Sequence, residues 1–279
     1  MGDRPDYSSL PLGKSVAYPE TYDPSQLQAI SRANGRQTLP VQQLPMQGSD
    51  LWNAYEVSWL DANGKPQVAC AQLVFPSSSP NMVESKSLKL YLNSFNQSRF
   101  DSLESVHSAL HTDLSAKAGA SVTIDLFLPE QWQSALSVSA PCGMNLDALD
   151  VGELSVEPDA SLLEFRGGTE KSGESSVYYS NLFRSRCPVT GQPDWATVEI
   201  EVSGRQPEPA SLLNYLLSYR NNDEFHEQCV ERIFADIYQA GTPQALSVYA
   251  RYTRRGGLDI NPLRSTHLTR KPFYRLPRQ

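Results

Sequence analysis

The chain has 279 residues, of which 39% are hydrophobic and 20% charged, and its formal net charge at pH 7 is −7. This composition predicts a soluble globular protein with one large domain or two ordinary ones. The negative charge argues against a general nucleic-acid binder, and the lack of an apolar run of about 20 residues argues against a membrane span.

The first part of the chain is predicted to be an arm followed by a β-rich segment. Residues 1–50 are rich in Pro, Gln and Ser, and we expect an extended arm that wraps around a core. From Leu51 onwards, two β-rich runs flank the Asn-Gly pair at 63–64, which predicts a hairpin. We then predict a strand for SLKLYLNSF, an amphipathic helix for FDSLESVHSALHTDLSAKAG with Asp101 or Ser102 as its N-cap, and a strand for SVTIDLFL.

The second part of the chain repeats this order of elements. We predict a strand for WATVEIEVSG, helices for PASLLNYLLSYRNN and DEFHEQCVERIFADIYQAG, and a closing strand for ALSVYARYTRRGG. Both halves thus contain a hairpin, helices and a hairpin, joined by the Ser- and Glu-rich segment 164–176. Such a duplication predicts an α+β protein with two tandem modules, residues 51–160 and 161–279, each an antiparallel sheet with helices packed on one face.

The cysteines and the known binding motifs exclude several classes of site. Cys70, Cys142, Cys187 and Cys229 lie far apart without a C-x-x-C pair, which predicts neither a disulfide framework nor a zinc ribbon. We expect no metal site, since the segment around His226 lacks the second histidine of H-E-x-x-H. No Rossmann or P-loop motif occurs. Free thiols and a polar N-terminus without a signal peptide predict a reducing cytoplasm.

The segment FRSRCPVTGQPDW contains the most promising nucleophile, Cys187. Pro188 cannot continue a central ladder, so we expect the cysteine at a strand end or on a loop. Arg184 and Arg186 would favour the thiolate if they pointed towards it, although most single cysteines are small buried hydrophobes. Asp194 can keep its proton and donate it if it is partly desolvated, but Gln-Pro-Asp is also ordinary turn chemistry.

The segment VESKSLKLYLNSF is predicted as a strand with an unusual pair of charges. Glu84 and Lys86 would lie on one face with Leu88 and Leu90, which suggests a pocket that contains an acid and a base. An exposed edge strand protected by lysines is the alternative interpretation.

Two further segments carry candidate binding residues. His226 and Glu227 are neighbours on a predicted helix, about 100° apart, so that one side chain can reach a pocket at the helix edge. Alternatively, they belong to an acidic surface near the helix N-terminus. The run Arg-Arg-Gly-Gly at 254–257 combines guanidinium groups with exposed amides, which suits a phosphate, although a solvated turn explains it equally well.

Together these motifs resemble one family, the NADPH-dependent 7-cyano-7-deazaguanine reductases, which are the nitrile reductases of the queuosine pathway. The family motif E-S-K-S-x-K-L-Y is matched by Glu84–Tyr91, and the Cys-Pro segment ends in the expected Pro-Asp-Trp at 193–195. The segments Asp223–Phe234 and Ser247–Pro262 are also characteristic. Because the motif precedes the cysteine, the resemblance is to the long, two-module form, and it extends from about Leu12 to Arg264.

This resemblance implies a tunnelling fold, a homodimer, NADPH as cofactor and a small-molecule 7-deazaguanine substrate, without direct binding of nucleic acid. Cys187 would add to the nitrile carbon to form a covalent thioimide, and Asp194 would donate protons. The base would be bound by Glu84, Ser85, Lys86, His226 and Glu227. NADPH would be contacted by Lys86, Ser87, Arg255 and Gly256.

Three other classes of protein deserve comparison. A cysteine hydrolase or amidinotransferase would use the same thiol with water or an amine in place of hydride. A pterin- or purine-binding module would need no nucleophile. A zinc-dependent cyclohydrolase with the tunnelling fold is disfavoured because the chain lacks a Cys/His metal set.

Overall fold

The computed structural model describes residues 10–41, 43–155, 157–166, 175–267 and 274–279. These residues form two compact units. The first contains the described residues of 1–35, 50–137 and 254–260, and the second contains those of 36–49, 138–253 and 261–279. Each unit is therefore assembled from separate stretches of the chain. The division into an arm and two tandem modules stays a prediction, and residues 167–174 of the predicted linker lie outside the described residues.

The first unit combines a sheet with two long helices. Its strands are β1 (Ala29–Ser31), β2 (Gln47–Leu60), β3 (Pro66–Pro76), β4 (Asn81–Val83) and β5 (Thr123–Phe127). Its helices are α1 (Arg32–Arg36), α2 (Ser85–Ser94), α3 (Leu103–Ala118) and α4 (Trp132–Ala135), with short 3-10 helices at Pro24–Gln26 and Pro129–Gln131. The sheet has the order β5-β3-β2, and β1 pairs with β4 separately.

The predicted hairpin is confirmed between β2 and β3. The side chain of Asp61 accepts hydrogen bonds from the amides of Asn63 and Lys65, and Gly64 has a φ of 82°, which favours glycine. Helix α3 buries Val106, Leu110, Leu114 and Ala118 along one face, as its amphipathic pattern predicts. These side chains pack against the sheet in one hydrophobic core with Leu73 and Phe75.

The strand predicted for SLKLYLNSF is wrong, because this segment forms helix α2. Leu88, Leu90 and Leu92 suggest a strand by their alternation, but Leu88, Tyr91 and Leu92 also recur at helical spacing and are all buried. Glu84 decides the outcome locally, since it is the N-cap and its carboxylate accepts hydrogen bonds from the first turn. Glu84 and Lys86 therefore do not lie together on the face of a strand.

Replacing Ser102 with alanine tests the predicted N-cap of α3. Ser102 and Ser105 form a reciprocal capping box, so we expect the variant to lose about 1 kcal/mol of unfolding free energy in urea denaturation followed by circular dichroism. Ser108→Ala is the matched control, because Ser108 is exposed within the same helix and we expect a change below about 0.5 kcal/mol. Equal stability of the two variants would contradict the capping role.

The second unit is a sheet covered by two helices. Its strands are β6 (Met144–Asn145), β7 (Ser175–Arg186), β8 (Pro193–Ser203), β9 (Ala245–Tyr252) and β10 (Leu258–Ser265). Its helices are α5 (Pro209–Leu217) and α6 (His226–Gly241), with 3-10 helices at Ala160–Leu162 and Ser218–Asn221. The strands have the order β10-β9-β8-β7-β6, antiparallel from β7 to β10, whereas β6 runs parallel to β7.

The core of the second unit confirms an α+β protein with helices on one face of this sheet. Val198, Ile200 and Val202 alternate along β8 and are buried in one cluster with residues of α5 and α6. The opposite face of β8 is polar, as predicted, but Thr197 and Glu199 are buried as well. Strand β10 was not predicted from LDINPLRS. In the parts of the chain that the structure describes, no helix combines the length and hydrophobicity needed to cross a membrane.

Candidate active site

Cys187 follows β7 directly, at the end of the β7–β8 hairpin. Its amide donates to the carbonyl of Gln192 and its carbonyl accepts from the amide of Gly191, both at 2.9 Å. The cysteine thus begins the turn that closes the hairpin, which confirms the predicted strand end. Its side chain is buried, with 4% of its surface exposed. In the register of the hairpin, Asp194 lies opposite Ser185, two residues before the thiol.

Asp194 and His226 form a largely buried polar pair in this unit. Nε2 of His226 lies 3.2 Å from Oδ2 of Asp194, and the two side chains are 14% and 4% exposed. The imidazole stacks on the ring of Tyr252, with the centroids 3.8 Å apart and the planes inclined by 14°. Nδ1 of His226 is buried, and among the described residues no hydrogen-bond partner is found for it. This carboxylate therefore holds the imidazole through Nε2 and can exchange a proton with it.

Helix α6 brings two of the predicted binding residues into this unit. His226 is its first residue and Glu227 its second, at the end where the helix dipole favours a carboxylate. Glu227 is 5% exposed, so the acidic-surface interpretation is wrong for this residue. The neighbouring acids form ion pairs with arginines, Asp223 with Arg186 and Glu224 with Arg232.

The two arginines that precede Cys187 contact other side chains. Arg186 donates from Nε and Nη2 to the two carboxylate oxygens of Asp223, at 2.8 and 3.0 Å. The guanidinium group of Arg184 lies over the ring of Trp195, 5.8 Å from its centroid. These contacts link β7 to Asp223 and to the ring of Trp195 on β8. They give no support to the hypothesis that Arg184 and Arg186 activate Cys187.

A second thiol, that of Cys229, lies in the core of the same unit. It is fully buried, and burial together with the carboxylate of Glu224 raises the pKa of its thiol. Burial likewise raises the pKa of the Tyr252 hydroxyl, with a further contribution from the Cys229 sulfur. Both groups therefore stay protonated and neutral, so the Cys229 thiol is a poor nucleophile.

In the first unit, Glu84 caps helix α2. Its carboxylate oxygens accept hydrogen bonds from the amides of Lys86 and Ser87, both at 2.7 Å. Burial raises the pKa of Glu84, and these hydrogen bonds act in the opposite direction. Because Glu84 is 1% exposed and both oxygens are engaged, the amides of this turn are already used by an internal anion.

The other residues of the E-S-K-S motif differ in their exposure. The hydroxyl of Ser87 is buried, donates to the carbonyl of Glu84 at 2.6 Å and accepts from the amide of Gln28 at 3.0 Å. Ser85 and Lys86 are partly exposed, and the ammonium of Lys86 lies 3.3 Å from the hydroxyl of Tyr18. Lys86 can therefore present a partly exposed ammonium group to a ligand.

Arg255 and Gly256 belong to a tight turn in the first unit. The amides and carbonyls of Arg255 and Leu258 bond to each other, and Gly256 and Gly257 between them have φ values of 57° and 79°. Such a two-residue turn favours glycine at both positions. The ammonium of Lys89 donates to the carbonyl of Gly256 at 2.8 Å and lies 3.6 Å from the carboxylate of Glu56.

The cations around this turn fit a ligand that carries phosphate groups. Lys86 and Lys89 are three residues apart and therefore share a face of α2, and Lys89 contacts the turn that contains Arg255. Guanidinium and ammonium groups beside a glycine turn are suited to phosphate oxygens. A small cleft of about 50 Å³ borders the turn, lined among others by Glu56, Lys89, Asn96 and Gly256.

Three contact residues were not predicted from the sequence. Tyr252 supports His226, Lys89 fixes the glycine turn, and Tyr18 contacts Lys86. Had this segment been predicted as a helix, the spacing of three residues would have placed Lys89 on the same face as Lys86. Tyr18 and Tyr252 gave no local signal. Across the described residues, no group of three or more His, Cys, Asp or Glu side chains is arranged to hold a metal ion.

Two family models match this chain. Residues 18–126 match the model described as Nitrile reductase, 7-cyano-7-deazaguanine-reductase N-term, and residues 193–271 match the model described as QueF-like protein. A solved structure, of the archaeosine synthase QueF-Like in the apo form, aligns with 36% of this chain and 100% of its own, at 19% identity and a TM-score of 0.33. That likeness is too low to support an argument.

The chain is also similar to curated proteins from several bacteria, each named NADPH-dependent 7-cyano-7-deazaguanine reductase. The protein of Burkholderia cenocepacia (strain HI2424) is 51% identical over 94% of this chain and 95% of its own. Those of Bordetella avium (strain 197N) and Paraburkholderia xenovorans (strain LB400) are 52% and 50% identical, each over 92% of this chain and 93% of their own. Identity at this level over almost the whole length shows that the chain belongs to the family of the NADPH-dependent 7-cyano-7-deazaguanine reductases.

Proposed function

We propose that this chain reduces the nitrile of 7-cyano-7-deazaguanine to the aminomethyl group, with two equivalents of NADPH and two protons. The sulfur of Cys187 adds to the nitrile carbon, and a proton goes to the nitrogen, which gives a thioimide. One hydride and one proton convert it to a thiohemiaminal. Its C–S bond then breaks to release the thiol and leave an imine, and a second hydride and proton give the amine.

The residues of the second unit supply the nucleophile and the protons. A nitrile is a poor hydride acceptor, and covalent addition divides the reduction into easier steps. Asp194 donates the proton to the nitrogen, and His226 at 3.2 Å keeps the carboxyl oriented and returns a proton to it. Glu227 accepts hydrogen bonds from the donor edge of the guanine-like base, which discriminates against bases that lack those donors.

The residues of the first unit bind the cofactor and complete base recognition. When bound, NADPH would supply the hydrides, and Lys86, Arg255 and the backbone at Gly256 would hold its phosphate groups. The cation cluster around the glycine turn supports this assignment. Ser85 contributes to the base site together with Glu84, and the carboxylate of Glu84 already caps α2. Ser87 contributes to the cofactor site because it fixes the first turn of the helix.

The observation that carries the proposal is the arrangement in the second unit. Cys187 begins the hairpin turn, and the acid opposite this end of β7 is paired with the first residue of α6. Cysteine, aspartate and histidine thus occur together in a chain that belongs to a reductase family. The family also supports a tunnelling fold, a homodimer, a cytoplasmic location and a role in queuosine biosynthesis, all of which we include in the proposal.

Intact mass spectrometry tests the covalent step. Incubation with the nitrile in the absence of NADPH is expected to increase the protein mass by that of the nitrile, with the adduct mapped to Cys187 by peptide digestion. Addition of NADPH is then expected to remove the adduct and release the amine, with two NADPH oxidised for each nitrile consumed. Turnover of the nitrile without NADPH would indicate a cysteine hydrolase instead. An unchanged mass together with no NADPH oxidation would refute the proposal.

A further inference from the structure

Residues 18–28 of the N-terminal segment form a strap around helix α2. The carbonyl of Pro19 accepts from the side chain of Asn93 at 3.1 Å. Further along, the amides of Tyr22 and Asp23 donate to the hydroxyls of Ser98 and Ser94, at 2.7 and 3.1 Å. The middle of the strap therefore lies along the C-terminal half of α2.

Both ends of the strap return to the N-terminal turn of α2. At one end, the amide of Gln28 donates to Ser87 and its carbonyl accepts from the amide of Glu84, at 3.0 and 2.9 Å. At the other end, Tyr18 contacts Lys86. Three of the residues that we assign to ligand binding, Glu84, Lys86 and Ser87, are therefore held by this segment.

The middle of the strap is anchored by Tyr22. Its hydroxyl donates to Asp113 at 2.5 Å, and its ring packs edge-on against Phe95 and Phe100, with centroids 5.1 and 5.7 Å away. Asp113 also accepts from the hydroxyl of Tyr91 at 2.6 Å. Since Tyr91 is fully buried, the anchor is part of the core of the first unit.

Tyr18 makes two contacts with the ammonium of Lys86. The nitrogen lies 5.0 Å from the centroid of the phenol ring and 3.3 Å from its hydroxyl oxygen. Tyr18 itself is 48% exposed, so burial of its own ring does not account for its position. An anchored aromatic ring beside a lysine restricts the rotamers of a side chain that is otherwise among the most mobile.

We propose that Tyr18 is a positioning residue for NADPH binding, which holds the ammonium of Lys86 towards the phosphate groups of the cofactor. This inference rests on the proposed function, because it requires Lys86 to bind the cofactor. Tyr18 contributes through Lys86 and makes no contact with the reacting atoms. The ring contributes through the cation–π contact, and the hydroxyl contributes through its contact with the ammonium.

Steady-state kinetics with varied NADPH and saturating nitrile test this role. Lys86→Met is expected to raise KM for NADPH by about tenfold or more, the effect of losing a charged hydrogen bond. Tyr18→Leu is expected to raise it by about threefold to fivefold, as for an exposed cation–π contact, and Tyr18→Phe by about twofold or less. In the two Tyr18 variants we expect kcat to stay within about twofold of the wild-type value, since no chemical step is changed.

A double variant distinguishes positioning from direct binding. If Tyr18 acts through Lys86, adding Tyr18→Leu to Lys86→Met leaves KM for NADPH at the value of Lys86→Met alone. Lys65→Met is the control for loss of an exposed lysine elsewhere in the unit, and we expect wild-type kinetics. Repeating the series with NADH shows whether the 2′-phosphate or the pyrophosphate is involved, because loss of discrimination between the cofactors indicates the former.

Several results would overturn the inference. A wild-type KM in Tyr18→Leu, an additive increase in the double variant, or a fall in kcat without a change in KM would each exclude a role through Lys86. The Cys187 adduct forms without NADPH and should be unaffected in the two Tyr18 variants, so it reports separately on the proposed function. Wild-type protein that neither forms the adduct nor oxidises NADPH would refute both.

Discussion

Cys187→Ala is expected to abolish turnover while the variant still binds the nitrile base. Removal of the sulfur leaves hydride transfer to an unactivated nitrile, and loss of a catalytic nucleophile typically costs several orders of magnitude in kcat, here about a thousandfold or more. Binding should persist because recognition of the base is assigned to other side chains. NADPH oxidation measures turnover, and isothermal titration calorimetry with the nitrile measures binding.

Cys142→Ala is the matched control for this variant. Cys142 belongs to the same unit and is exposed, so we expect full activity and an unchanged adduct mass. Cys229 is less suitable, because its thiol is fully buried in the core and truncation would also affect stability. Residual turnover of Cys187→Ala near the wild-type rate would show that the thioimide is not on the pathway.

Local sequence signals predicted those parts of the fold that depend on neighbouring residues. The hairpin at 63–64 followed from an Asn-Gly pair, and the N-cap of α3, predicted at Asp101 or Ser102 before an apolar helical face, is Ser102. The position of Cys187 at a strand end followed from the proline after it. In each of these cases the deciding interaction spans only a few residues, so that the sequence itself contains the cause.

Helix α2 shows why the same reasoning fails elsewhere. Apolar residues at 88, 90, 91 and 92 satisfy both the period of a strand and that of a helix. The helix is favoured by the cap at Glu84 and by hydrogen bonds with the strap at Gln28. The second of these influences comes from a distant part of the chain, so it leaves no mark on the local pattern.

The candidate site was predicted as a set of residues but not as a geometry. Asp194 and His226 were both identified, yet their 3.2 Å contact depends on the register of the hairpin and on where α6 begins. Lys89 lies 167 residues from Gly256 in sequence and Tyr18 lies 68 residues from Lys86. Such pairs are fixed only by tertiary packing, which a single sequence does not record.

Asp194→Asn is expected to lower kcat by about a hundredfold to ten-thousandfold, the usual range for loss of a general acid. The amide is nearly isosteric with the carboxyl group and can still hydrogen-bond to Nε2 of His226, so the imidazole keeps its place on Tyr252. It cannot deliver a proton to the nitrogen of the nitrile or of the imine. The loss should therefore appear in kcat more than in KM for either substrate.

Formation of the covalent adduct distinguishes Asp194→Asn from Cys187→Ala. Without the acid, the thiolate still reaches the nitrile and water can protonate the nitrogen, so a thioimide should form slowly in Asp194→Asn and be absent in Cys187→Ala. Time-resolved mass spectrometry without NADPH measures that rate. Asp125→Asn, which changes an exposed strand aspartate of the first unit, is the control and should match the wild type. Full activity in Asp194→Asn would remove this carboxyl from proton transfer, and His226, stacked on Tyr252 with Nδ1 buried, would then be the next group to test.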